Sequence, residues 1–146
     1  WIGAGGYCGT RCGVGLGPNS NHTFCEPCLA GSSSTGDIGC APCVPGRFAS
    51  DRRQSECEAC GPGRAAVLSG QPSCSDCAAG RFVAQNAASQ CQVCGPGSTS
   101  EPGARQCESC PAGYAGVDGF CEMCGAGFTP DLAQLNGSCT SCPPAT

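Results

Sequence analysis

The cysteines carry most of the chemical capacity of this chain, since 18 of its 146 residues are cysteine. From Cys25 onward they form eight Cys-x-x-Cys pairs, with 10 to 14 residues between consecutive pairs. Thiols at this spacing can form disulfides, bind zinc as thiolates or act as a redox pair. Eight equivalent pairs favour disulfides, because a redox enzyme needs one distinct reactive pair. Four zinc sites with all-cysteine ligation are the minor alternative.

Groups suited to acid–base or nucleophilic catalysis are scattered along the sequence and do not converge. The one histidine, His22, is the middle residue of the sequence Asn21-His22-Thr23. Acidic residues such as Glu26 and Glu58 stand beside cysteines, where they increase solubility. A catalytic site needs several polar groups brought together in a pocket. We therefore expect no enzymatic activity and no cofactor.

The composition excludes a fold that is held by a conventional hydrophobic core. Alanine and cysteine supply 36 of the apolar residues, only 22 are large, and glycine (24) and proline (12) are abundant. Burying a large apolar side chain yields about 1.5–3 kcal/mol, whereas ordering each residue costs about 1.5 kcal/mol. A disulfide scaffold can supply the missing order. It also predicts an oxidising location, extracellular or at the cell surface.

Charge and hydropathy argue against two further classes of partner. The net charge is −4, and the seven cationic side chains are all arginines without a cluster. We therefore expect no nucleic acid to bind, since that needs a basic patch. No apolar run approaches the length of a transmembrane helix, so we also expect no membrane insertion.

A repeated frame positions the cysteines. The chain reads "CVPGRF" from Cys43 and "CAAGRF" from Cys77, and x-x-Gly follows the second cysteine of most pairs. Proline and glycine at these places predict a tight turn in which the glycine has a positive φ. Two pairs make one repeat. The predicted segments are an N-terminal segment 1–11, repeats 12–43, 43–77, 77–110 and 110–142, and a tail 143–146.

The predicted fold is small and disulfide-rich. We expect an elongated rod of tandem cysteine-rich repeats, with short β-hairpins and little regular secondary structure. Each repeat should contact only its neighbours, as in other linear arrays. The one stretch whose sequence could form a helical turn runs from Asp131 to Gly137.

The cysteine spacing leaves two disulfide connectivities open. In a crossed scheme, neighbouring pairs bond first to first and second to second, and Cys8 must bond Cys12. In a ladder scheme, which we prefer, the second cysteine of each pair bonds the first cysteine of the next, so each loop closes locally around one glycine turn. The ladder leaves Cys8 and Cys142 to bond either further chain or another copy, as terminal or intersubunit cysteines. Its pairs are Cys12–Cys25, Cys28–Cys40, Cys43–Cys57, Cys60–Cys74, Cys77–Cys91, Cys94–Cys107, Cys110–Cys121 and Cys124–Cys139.

Two further features concern the surface of the protein. N-glycosylation sequons begin at Asn21 and Asn136, so we expect N-linked glycans on exposed loops. Trp1, Ile2 and Tyr7 form an apolar cluster outside the cysteine frame. This cluster either caps the first repeat or acts as an assembly contact on a neighbouring subunit.

The cysteine frame resembles that of known extracellular repeats. Cys-x-x-Cys-x-x-Gly followed by Arg, Phe or Tyr and a closing Cys resembles the ephrin-receptor-like cysteine-rich repeat, over nearly the whole chain. It is also similar to the single-disulfide modules of the tumour-necrosis-factor-receptor class, and this resemblance implies ladder pairing. The usual Pro and Tyr after the second cysteine occur together only in Cys110-Pro111-Ala112-Gly113-Tyr114. A long array biased to Ala, Gly and Arg resembles large algal or protist surface proteins, such as mastigoneme-type filament subunits.

These features favour a structural subunit of an extracellular filament or surface coat. Such a subunit would self-associate or bind other extracellular structural proteins. The alternative is a receptor or adhesion ectodomain that binds a protein or glycan ligand along its repeats. Assembly into fibres would favour the first interpretation. A patch of exposed aromatic side chains on one face, or isolation as a monomer, would favour the second.

Overall fold

The computed structural model describes residues 11–36, 39–125, 128–130 and 139–141. Several sequence predictions concern residues outside these ranges. They include the helical turn over 131–137, both terminal cysteines, the second sequon and the N-terminal apolar cluster. These residues are Cys8, Cys142, Asn136, Trp1, Ile2 and Tyr7.

The described residues contain short strands and no helix. The strands pair in chain order into eight two-stranded antiparallel sheets, each a β-hairpin. The prediction of a small disulfide-rich fold with short hairpins is confirmed. The strands are β1 (Leu16–Pro18), β2 (Cys25–Pro27), β3 (Ser32–Ser33), β4 (Ala41–Pro42), β5 (Arg47–Phe48), β6 (Glu58–Ala59), β7 (Arg64–Ala65), β8 (Ser75–Asp76), β9 (Arg81–Phe82), β10 (Gln92–Val93), β11 (Ser98–Thr99), β12 (Glu108–Ser109), β13 (Tyr114–Val117), β14 (Phe120–Met123), β15 (Phe128–Pro130) and β16 (Cys139–Ser141).

Each hairpin takes its strands from fixed places in the cysteine frame. In a representative hairpin, β5 follows the glycine turn after Cys43, and β6 consists of the two residues between Cys57 and Cys60. The second strand of most hairpins is only two residues long because it fills the interval between the two cysteines of a pair. Two-stranded hairpins of this length are not stable alone. Further cross-links are therefore needed to hold them.

The chain divides into two compact units that interleave along the sequence. The first comprises Trp1–Gly61, Ala65–Ser75 and Asn86–Gln90, and the second comprises Pro62–Arg64, Asp76–Gln85 and Cys91–Thr146. The boundaries of the four predicted repeats stay a prediction. In both units, the buried side chains are mostly cysteine and alanine.

Candidate functional site: the disulfide and glycine frame

Sixteen of the cysteines form eight disulfides, with Cα–Cα distances of 5.5 to 5.8 Å. These distances are usual for disulfides. The connectivity is the ladder, in which each second cysteine bonds the first cysteine of the next pair, and not the crossed scheme. From Cys25 to Cys139, the sulfurs that the zinc alternative would use as thiolates are bonded to each other. No group of His, Cys, Asp and Glu within the described ranges is arranged to hold a metal ion.

Within the described ranges, the glycine after the second cysteine of a pair forms the predicted turn. In the turn from Val44 to Arg47, the Arg47 N–H donates to the Val44 carbonyl at 3.0 Å, and Gly46 has a φ of 87°. Pro45 precedes the glycine, as a type II turn favours. We call the glycine of each such turn the turn glycine. Positive φ occurs at Gly15, Gly31, Gly46, Gly63, Gly80, Gly97 and Gly113.

In the first unit, the turn glycines join consecutive disulfide loops through backbone hydrogen bonds. The Gly31 N–H donates to the Ala49 carbonyl of the next loop at 2.7 Å. In return, the Cys43 N–H donates to the Gly31 carbonyl at 2.8 Å. Gly46 repeats this pattern, because its N–H donates to the Ala66 carbonyl at 2.8 Å. Each turn glycine thus uses both of its backbone groups to hold the following loop.

The second unit contains the same connection in its own loops. The Gly63 N–H donates to the Val83 carbonyl at 2.8 Å, and the Gly63 carbonyl accepts from the Cys77 N–H at 2.9 Å. The carbonyl of Cys77 then accepts from the Gly103 N–H at 2.7 Å. Buried backbone groups must be hydrogen-bonded, and these bonds satisfy them without regular strands. The frame therefore combines covalent and hydrogen-bonded links between loops.

The residue three positions after the turn glycine has a small and buried side chain. We call this the inner position. Its carbonyl accepts from the turn glycine of the preceding loop, as described for Ala49, Ala66 and Val83. Composition does not reveal this position, although small residues recur at one place in the frame and provide a usable signal. Its occupants are Ser34, Ala49, Ala66, Val83 and Ser100, which are at most 7% exposed.

In five of the described loops, a second position with positive φ lies later in the loop, against a turn glycine. In the first unit, a Cβ on Gly46 would overlap the carbonyl oxygen of Ala87, and Ala87 itself has a φ of 58°. We call this later position the return residue. The sequence did not reveal it because alanine and arginine occur here as well as glycine. The return residues are Arg53, Gly70, Ala87, Gly103 and Gly119, all with positive φ.

Enlarging an inner side chain should destabilise the fold. Ala66 is fully buried, so we expect Ala66→Leu to lower the free energy of unfolding by about 1–3 kcal/mol through overpacking. The matched control is Ala59→Leu, because Ala59 lies exposed in β6. Guanidinium unfolding with the disulfides intact measures both variants. Equal stability of the two would contradict the role of the inner position.

Burial of the sulfurs predicts an order of chemical reduction. Cys60 is fully buried and its partner Cys74 is half-buried, whereas Cys110 and Cys121 are both half-buried. Reduction releases one sulfur as a thiolate, which is disfavoured in a buried place. We expect Cys110–Cys121 to be reduced about tenfold faster than Cys60–Cys74. Timed reduction, alkylation and peptide mass analysis give the two rates, and the reverse order would contradict this account.

The first sequon is the one predicted modification site within the described residues. Asn21 is exposed, at the tip of the hairpin of β1 and β2. The Asn19 side chain organises this tip, because its oxygen accepts from the Thr23 N–H at 2.8 Å and its Nδ2 donates to the Thr23 hydroxyl at 2.9 Å. The sequence motif alone did not single out Asn19.

Comparison with protein-family models and with curated proteins gives no match to this chain. The resemblance to ephrin-receptor-like and tumour-necrosis-factor-receptor-like repeats therefore stays a prediction about the type of repeat. The structure does show a chain of tandem short hairpins joined by eight disulfides. Such extensive disulfide bonding is typical of extracellular structural proteins and ectodomains. The described residues contain no helix long and apolar enough to cross a membrane.

Proposed function

We propose that this chain is a load-bearing structural segment of an extracellular filament or surface coat. The observation that carries the proposal is the covalent path from Cys12 to Cys139. This path runs through eight disulfides and the seven Cys-x-x-Cys links between them. Tension along the path bypasses the long part of each loop. The chain can therefore resist stretching without a large core.

The backbone frame supports the same proposal. The loops are tied to one another by the turn glycines, so their positions do not depend on the variable residues at their surface. The second cysteines of several pairs are almost fully buried, which shields one sulfur of each of these disulfides from external thiols. These cysteines are Cys28, Cys43, Cys60 and Cys77, each at most 1% exposed.

Self-association is the second part of the proposal, and it rests on the cysteine frame. Cys8 has the frame position of a first cysteine, and Cys142 has that of a second cysteine. A bond between Cys142 of one copy and Cys8 of the next would continue the ladder from copy to copy. The apolar cluster of Trp1, Ile2 and Tyr7 would serve as a contact at the same junction.

Imaging and sizing of the native protein test this proposal. We expect filaments or sheets by electron microscopy and a ladder of covalent multimers on non-reducing gels. Cys8→Ser and Cys142→Ser should each abolish the covalent multimers, because either change removes one half of the junction. The matched control is Ser141→Ala, which leaves every cysteine and both sequons in place. A wild-type protein that is monomeric in native material would contradict the structural role.

Exposed apolar side chains favour one alternative function, a receptor or adhesion ectodomain. Val67 and Leu68 are adjacent in one loop and are 64% and 67% exposed. Apolar side chains left exposed next to each other can form part of a binding surface. Under this alternative, Val67→Ser with Leu68→Ser would abolish ligand binding and leave a monomer. Under the structural proposal, the native multimers form without an added ligand.

A further inference from the structure

The sequon Asn21-His22-Thr23 lies inside the first disulfide loop, which Cys12 and Cys25 close. All three of its residues are exposed. β1 and β2 pair up to Pro18 and Cys25, so the sequon lies in the short connection between paired strands. Exposure makes this a candidate for modification, and the connection fixes the shape in which the folded protein presents it.

Hydrogen bonds of Asn19 link the two ends of this connection. Its backbone N–H donates to the Phe24 carbonyl at 3.0 Å, and its carbonyl accepts from the His22 N–H at 2.9 Å. Its side-chain oxygen accepts from the N–H groups of Thr23 and Phe24, at 2.8 and 3.3 Å. His22 has a φ of 55°, an unusual value for a residue other than glycine. The sequon is therefore held in a tight turn.

N-glycosylation is a transfer reaction in which the sequon must reach a membrane enzyme. The Asn21 amide nitrogen bonds to the anomeric carbon of a lipid-diphosphate-linked oligosaccharide. The bond from that carbon to the diphosphate breaks, the lipid diphosphate leaves, and the amide nitrogen loses a proton. The motif requires a hydroxyl at its third residue. In the folded turn, that hydroxyl is bonded to the Asn19 Nδ2 at 2.9 Å.

We infer that Asn21 is an N-glycosylation site that accepts its glycan only before the Cys12–Cys25 loop closes, and that Asn19 sets this limit. The unfolded chain offers the amide of Asn21 and the hydroxyl of Thr23 freely. Once the loop closes, the hydrogen bonds of Asn19 hold Thr23 in the turn. The fraction of chains that carry a glycan on Asn21 therefore depends on how fast the first loop closes relative to glycan transfer. This inference rests on the extracellular location in the proposed function, but not on filament assembly.

The experiment uses the full chain, a purified oligosaccharyltransferase and a lipid-linked oligosaccharide donor. We compare the oxidised wild type, the oxidised Asn19→Ala variant and the reduced, alkylated wild type. Glycopeptide mass analysis follows Asn21 in each. We expect the alkylated chain to be modified at least tenfold faster than the oxidised wild type. The oxidised Asn19→Ala variant should be modified about tenfold faster than the oxidised wild type, because the lost side-chain hydrogen bonds are together worth about 1.4 kcal/mol.

Two controls keep the result specific to the turn. Ser20→Ala changes an exposed neighbour in the same connection, and we expect it to match the wild type. Asn21→Gln should remove the modified peptide. Equal rates of modification for the oxidised and alkylated wild type would show that loop closure does not restrict glycan transfer. No transfer to the alkylated chain would show that Asn21 is not a glycosylation site. Neither result affects the multimers expected in native material, so the two proposals fail separately.

Discussion

Stretching a single oxidised molecule from Cys12 to Cys139 is expected to give a full extension of roughly 120 Å, against roughly 440 Å after reduction. The difference arises because the eight disulfides take most of the chain out of the path that carries tension. Only the short Cys-x-x-Cys links and the disulfides themselves are stretched. Force spectroscopy with handles beside Cys12 and Cys139 measures both lengths.

The length gained each time one disulfide is reduced under load provides an internal check on this expectation. A loop of 11 to 15 residues should add roughly 30–50 Å when its disulfide opens under load. A variant with both Cys60→Ser and Cys74→Ser should begin roughly 40 Å longer than the wild type and lose one step. The crossed pairing leaves several loops open to tension. An oxidised extension well above roughly 120 Å would therefore contradict the ladder.

Replacing Gly63 with alanine is expected to be one of the most destabilising single changes outside the cysteines. Gly63 has a φ of 82°, and a Cβ there would overlap the carbonyl oxygen of Gly103. Its N–H also donates to the Val83 carbonyl, and its carbonyl accepts from the Cys77 N–H. Left-handed strain and the displaced hydrogen bonds together should lower the free energy of unfolding by about 2–4 kcal/mol. Guanidinium unfolding with intact disulfides measures the loss.

The same turn provides the matched control for this variant. Gly61 lies two residues earlier, and an added Cβ there meets no described atom within 4 Å. Gly61→Ala should therefore change the free energy of unfolding by less than about 0.5 kcal/mol. Hydrogen exchange at the Gly63 and Cys77 amides should accelerate in Gly63→Ala only. Similar stability of the two variants would show that the turn glycines do not hold the loops together.

The local parts of the frame could be predicted from the sequence because each depends on a few neighbouring residues. The turn at Gly46 follows from a proline and a glycine at fixed offsets from Cys43. The second strand of most hairpins follows from the two-residue interval between the cysteines of a pair. The preference for ladder pairing followed from loops that close around a single turn. Each of these predictions needed only the sequence within one loop.

The links between loops could not be predicted because they join backbone groups that are far apart in the sequence. Backbone donors and acceptors are present at every residue, so the bond from Gly31 to Ala49 has no distinctive sequence motif. The return residue was hidden for a related reason, since Arg53 and Ala87 have positive φ despite their side chains. At the first sequon, the role of Asn19 depends on the shape of the turn and not on the motif.

The central claim is that disulfides in ladder order hold this chain together, and mapping the disulfides of the unreduced native protein tests it most directly. Mass spectrometry of peptides cleaved between the two cysteines of each pair distinguishes the connectivities. We predict Cys28 bonded to Cys40 and Cys43 bonded to Cys57, with the same order along the chain. Cys25 bonded to Cys40, or free thiols at these positions, would contradict the account.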